Sequence, residues 1–134
     1  MSIIVTDRGF GPDDWTAPIV ALEDARPGTG IDLPASADPV ELAGRLHDTP
    51  LIRVNFASFA DGRGFTIARR LRLMGYKGRL RAAGHVIADQ YAMARRAGFD
   101  EVEISDDLAA RQPQDQWAFR ANWRDHDYQS RLRG

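Results

Sequence analysis

Between Leu51 and Arg111 the chain runs three times through one alternation of an apolar strand-like stretch and a helical stretch, with short links marked mostly by glycine. That repetition constrains the fold more than any other feature. Consecutive β-α units with short links build a parallel sheet through right-handed crossovers. Leu51 to Phe56 reads as the first strand, and the turn Asp61-Gly62-Arg63-Gly64 leads into a helix over 65–74 with Ile67, Leu71 and Met74 on one stripe. Gly75 and Gly78 close that helix before a strand over 79–83. A helix over 85–97, with Ile87, Tyr91 and Ala94 inward, stops at Gly98. A strand over 99–104 then precedes Ser105, the N-cap of a helix at 106–111, and a further helix is expected over 114–122 beyond Pro113. The class is α/β, a single domain over 1–134 with a small parallel sheet of consecutive β-α units. The strand spacing suits an open doubly wound sheet and equally a partial βα barrel.

The flanks are less regular. Residues 1–35 are rich in Gly, Pro and Asp and read as an irregular N-terminal segment, mostly loop with short extended pieces, among which Ile19 to Leu22 is a strand. Asp38 before Pro39 predicts the start of a short helix over 39–47. Residues 123–134 are polar, without apolar periodicity, and read as a tail. The apolar share of 43% is enough for a core without disulfides. With no cysteine, disulfide frameworks, zinc knuckles, Cys-held clusters and thiol redox chemistry are excluded for this chain. No run approaches the roughly 20 apolar residues of a membrane span, and Met1 to Phe10 lacks the apolar core of a signal peptide, so a cytoplasmic location is expected.

Charge is the second constraint. The net value of −1 argues against a nucleic-acid partner, yet it hides a division. Residues 1–50 hold three basic and nine acidic side chains, whereas 62–88 hold Arg63, Arg69, Arg70, Arg72, Lys77, Arg79 and Arg81 and no acid. Either the two parts neutralise each other or the basic part meets an anion.

Ligands of parallel sheets sit beyond the carboxyl ends of the strands. The turn Gly62-Arg63-Gly64 could hold an anion with Arg63 as clamp, although Ile67 stands where a dinucleotide fingerprint needs its third glycine. Arg69 and Arg72, three residues apart, suit an anionic ligand or acidic partner. Arg79 and Arg81 point to one side of a strand, the most informative anomaly, and call for a strand-end position or a partner such as Asp61 or Asp89. Asp61 and Asp89 are the acid/base candidates, and His85 and Asp89 fall one helical turn apart. Gln90 joins Gly62, Arg63, Gly64, Arg69, Arg72 and Arg81 in the anion- or partner-binding set. No metal site and no cofactor is expected, because the histidines are scattered and no ligand spacing occurs.

The run from Phe56 to Phe65, Ala68-Arg69-Arg70-Leu71-Arg72, Gly75-Tyr76-Lys77-Gly78, Leu80-Arg81-Ala82, Gly84, Asp89-Gln90 and Gly98-Phe99-Asp100 resembles a bacterial domain-of-unknown-function family. Its members carry the description "probable oxidoreductase involved in sulfite reduction". The resemblance covers about residues 30–129, with Tyr128-Gln129 similar to the family's ending, and departs from it at Arg79 and His85, where acids are usual. It implies a role beside the sulfite reductase haemoprotein in sulfur assimilation, and it carries over no catalytic residue. Two functions follow as expectations. One is an accessory protein of assimilatory sulfite reduction that meets an acidic partner or a small oxyanion through the 61–81 Gly/Arg surface. The other is a small enzyme acting on an anionic metabolite with Arg clamps and an Asp acid/base. Either is compatible with a homo-oligomer that completes its sheet or barrel across subunits.

Overall fold

The computed structural model describes residues 2–58 and 60–118. Its strands are Ser2–Thr6 (β1), Gly9–Pro12 (β2), Ile19–Ala21 (β3), Gly30–Pro34 (β4), Leu51–Phe56 (β5), Arg79–Gly84 (β6) and Glu101–Ser105 (β7). They form one sheet in the order β2-β1-β7-β6-β5-β4-β3. Strands β3 to β7 are parallel and follow chain order without reversal. Strand β1 pairs antiparallel with β2 and with β7, so the sheet is mixed rather than wholly parallel. The irregular reading of residues 1–35 is corrected, since that stretch contributes four strands. Strand β4 is bounded by Gly30 and Pro34, which locally signal a turn. What makes it a strand is pairing with β5, about twenty residues away, which no local pattern announces.

Four helices follow the strands: Arg63–Leu73 (α1), Tyr91–Ala97 (α2), Asp106–Arg111 (α3) and Gln114–Ala118 (α4). No helix among the described residues is long and apolar enough to cross a membrane. Two helix predictions need correction. Residues 39–47 form two 3₁₀ turns, Pro39–Leu42 and Leu46–Asp48, because Gly44 divides a stretch too short to offset the cost of nucleation. The cap was nevertheless legible: Asp38 Oδ1 accepts from the Val40 N–H at 3.1 Å. The helix expected over 85–97 starts only at Tyr91, after a 3₁₀ turn at Ala88–Gln90. Gly84, at φ +89°, turns the chain out of β6, so His85 and Asp89 do not share a helical face. Ser105 caps α3 as expected, accepting from the Leu108 N–H at 3.1 Å. The remainder of the helix expected over 114–122, and the tail at 123–134, lie outside the described residues.

The core occupies one face of the sheet. Ile31 and Leu33 from β4, Ile52, Val54 and Phe56 from β5, Leu80 and Ala82 from β6, and Val102 and Ile104 from β7 are buried there. Against them pack Ile67, Ala68 and Leu71 of α1 and Tyr91, Ala94 and Ala97 of α2. Phe56 and Phe65 meet at 4.9 Å between ring centroids, and Tyr91 and Trp117 at 6.2 Å. Parallel strands placed in chain order by right-handed crossovers put their helices on a single side. The other side of the sheet is therefore free to carry something else.

Candidate functional site

What it carries is charge. In register across the sheet, Asp32 lies beside Arg53, Arg53 beside Arg81, and Arg81 beside Glu101; the next row holds Asn55, Ala83 and Glu103. Neighbours in register point to the same face, and alternate residues of each strand to opposite faces. The apolar residues of β5, β6 and β7 therefore build the core while their charged alternates build a second, polar layer.

This layer is closely bonded. Arg81 is wholly buried, and its guanidinium donates to Glu101, to Glu103 at 2.8 Å and to both oxygens of Asp13 at 3.1 Å. Arg79 donates to Glu101 at 2.7 Å and to Asp14. Arg53 donates through Nε to Asp32 at 2.7 Å and through Nη1 to Glu103 at 3.3 Å, and Asn55 also donates to Asp32. Burial penalises the charge of Arg81, but Asp13, Glu101 and Glu103 outweigh it and its pKa rises above the ordinary value. Partial burial pushes Asp13 up; the hydrogen bond and charge of Arg81 reverse this and hold it below the usual carboxylate range. Asp14 is held low chiefly by its hydrogen bond from Arg79.

Asp13 and Asp14 belong to residues 13–18, which join β2 at one sheet edge to β3 at the other. The segment crosses the polar face as a strap, with the Trp15 ring 5.9 Å from the Arg79 guanidinium. The Trp15 indole N–H is buried without a hydrogen-bond partner among the described residues.

Beyond the strap, at the carboxyl ends of β5, β6 and β7, the polar face opens into a cleft of about 760 Å³. Arg53, Asn55, His85, Glu103, Ser105 and Arg111 line it, with Ser2, Leu108 and Gln112. Its carboxylate, Glu103, is already bonded to Arg53 and Arg81. Arg53 has Nε and Nη1 engaged, leaving Nη2 without a partner among the described residues. Arg111 is exposed and forms no ion pair among them. Two guanidiniums with free donors, flanked by hydroxyls, suit a small ligand with planar or tetrahedral anionic oxygens.

The residues singled out from sequence do not converge. Arg63 donates to both carboxylate oxygens of Asp61 at 2.9 Å, and these bonds hold the Asp61 carboxyl below its ordinary value. A Cβ on Gly64 would stand 2.3 Å from Phe56 Cζ, so this glycine serves close packing of helix on strand. Arg72 donates to the carbonyls of Gly98, Tyr76 and Gly78 and pairs with Asp100 at 2.9 Å, fastening the end of α1. Gln90 accepts from the Ile87 N–H, Asp89 lies exposed in a 3₁₀ turn, and Arg69 is exposed on α1. Arg79 and Arg81 point to the sheet face away from these helices, so residues 61–81 make no single surface. Their partners are Asp13, Asp14, Glu101 and Glu103, not Asp61 or Asp89. Of the seven cations in 62–88, Arg63, Arg70, Arg72, Arg79 and Arg81 are in ion pairs, which favours internal neutralisation.

Sequence reasoning missed Asp13, Asp14, Arg53, Glu103 and Arg111 as members of one region. A signal existed for the strand residues. Arg53 and Asn55, like Glu101 and Glu103, alternate with apolar neighbours at the same two-residue period as Arg79 and Arg81.

The chain belongs to the family described as bacterial protein of unknown function (DUF934), whose model matches residues 30–134. No curated protein and no solved structure matches it.

Proposed function

We propose that this family member is an accessory protein of assimilatory sulfite reduction that holds a small oxyanion in the cleft at the carboxyl ends of β5, β6 and β7. The observation that carries this reading is the pair of arginines on one cleft, Arg53 with a free Nη2 and Arg111 without an ion pair among the described residues, beside a carboxylate already shared by two guanidiniums. The resemblance to proteins described as acting in sulfite reduction makes sulfite the first ligand to test and the sulfite reductase haemoprotein the partner served. The anion contact thus moves from the 61–81 Gly/Arg segment to the cleft at the carboxyl ends of these strands. The sheet is read as a partial βα barrel whose concave side holds the cleft. Six inter-strand steps at about 4.8 Å span about 29 Å, whereas the seven residue steps from Pro12 to Ile19 reach at most about 25 Å, so the strap supports a curled sheet.

The alternative, an enzyme with Asp61 or Asp89 as acid/base, has less support. The Asp61 carboxylate is occupied by Arg63, and Asp89 does not line the cleft. The test is growth of a strain lacking this gene on defined sulfur sources. Failure on sulfate and sulfite, rescue by sulfide, and restoration by the wild-type chain but not by Arg111→Ala are expected. Unimpaired growth of the deleted strain on sulfite would overturn the reading.

A further inference from the structure

The outer faces of α1 and α2 hold a surface that the cleft does not use. The two helices follow neighbouring parallel strands, and the Arg72 Nε donates to the Gly98 carbonyl at 3.0 Å, which sets their carboxyl ends level. Outward from this joined layer stand Leu73, 81% exposed, and Met93, 53% exposed, two of the three large apolar side chains most open to solvent among the described residues. Arg69, one turn before Leu73, Arg96 on α2, and Lys77 just beyond α1 border them, all exposed and without an ion pair among the described residues. The acids at the margin are committed: Asp100 pairs with Arg72, and Asp89 has a partner of its own.

We infer that this face docks an acidic protein surface, with Leu73 as the apolar anchor and Arg69, Arg96 and Lys77 as the charged rim. An apolar centre inside a charged rim is how protein interfaces divide affinity from steering. The imbalance sets the sign of the partner: three unneutralised cations in a chain of net charge −1 are matched by carboxylates on the other side. Nucleic acid is the poorer occupant, because three cations give few phosphate contacts and the anchors are aliphatic rather than base-stacking rings. The inference is independent of the oxyanion cleft, which lies across the sheet.

The test places a photo-crosslinking residue at Leu73 in the full chain inside its own cells, with Glu41 as the control position. A discrete protein adduct at position 73 and none at 41 is expected. The double variant Arg69→Glu, Arg96→Glu should lose about tenfold of that adduct, as rim charges govern encounter. Both side chains are exposed, so an unchanged thermal melt shows that folding is intact. Reversing acidic residues on the captured protein to lysine should restore the adduct with the doubly reversed chain. No adduct, a self-adduct, a nucleic-acid adduct, or one indifferent to the charge reversals would overturn the inference. Loss of sulfite binding with the adduct intact would count against the cleft and not against this surface.

Discussion

The two faces of the central sheet are written by the same strands and do opposite things. On one face Ile52, Val54, Leu80, Ala82 and Val102 vanish beneath α1 and α2; on the other Arg53, Arg81, Glu101 and Glu103 make a bonded layer closed by a strap. Stability alone does not require the second arrangement. Pairs of buried charges are commonly replaceable by apolar side chains at little or no cost, whereas breaking such a pair from one side is expensive. The cleft proposed to hold an oxyanion lies on the second of these faces.

The sharpest way to break this comparison is to mutate neighbours that face opposite ways. Arg81→Ala should cost about 3–5 kcal/mol, because Glu101, only 4% exposed, loses a buried counter-charge. Leu80→Ala should cost about 2–5 kcal/mol through a cavity in the core. Urea denaturation midpoints separate the causes when Arg81→Met is joined to Glu101→Leu and Asp13→Asn: most of the loss should return, because Glu103 keeps Arg53 and Arg79 keeps Asp14. A loss that persists would show that the charged layer is structural in the same sense as the core.

A smaller effect tests the strand end where the cleft begins. A Cβ at Gly84 would stand 2.5 Å from the Phe56 carbonyl oxygen with φ at +89°, and backbone cannot yield as a side chain can. Gly84→Ala should cost about 1–3 kcal/mol, while Gly62→Ala, which meets open space, should be near neutral. Equal melting temperatures for the two variants would contradict the placement of the turn.

The mildest perturbation is acid. Asp13 and Asp14 have folded pKa values below their unfolded ones, so their contribution is complete above the ordinary aspartate value, and protonation removes it as pH falls through the folded pKa. Trp15 fluorescence should therefore report release of the strap below about pH 4, before far-ultraviolet dichroism reports loss of the apolar face. Asp13→Asn with Asp14→Asn should abolish that separate step. A single coincident transition in both signals would mean that strap and core are one cooperative unit.

The same contrast explains what was legible in the sequence. Strands β5, β6 and β7 and helix α1 were visible because local periodicity and partner geometry agree there. Ser105 and Asp38 were readable as caps because a cap is decided within three residues. Strands β1, β2 and β4 were hidden because they are short and owe their conformation to partners far along the chain. The charge anomaly at Arg79 and Arg81 was visible but its solution was not. Asp13 lies 68 residues from Arg81, and nothing local says that the strap passes over the sheet. The cleft was obscured for the same reason: Arg53, Glu103 and Arg111 come from three separate elements.

The most direct test of the polar face as the binding face is a sulfite titration of the isotope-labelled chain followed by its backbone amide resonances. Gly84, His85, Ser105 and neighbours around the cleft should shift with saturation, and Arg111→Ala should weaken the response about tenfold or more, as loss of a charge-assisted contact implies. Shifts confined to Gly62, Arg63 and Gly64, or no saturable shift at all, would contradict the assignment of the cleft.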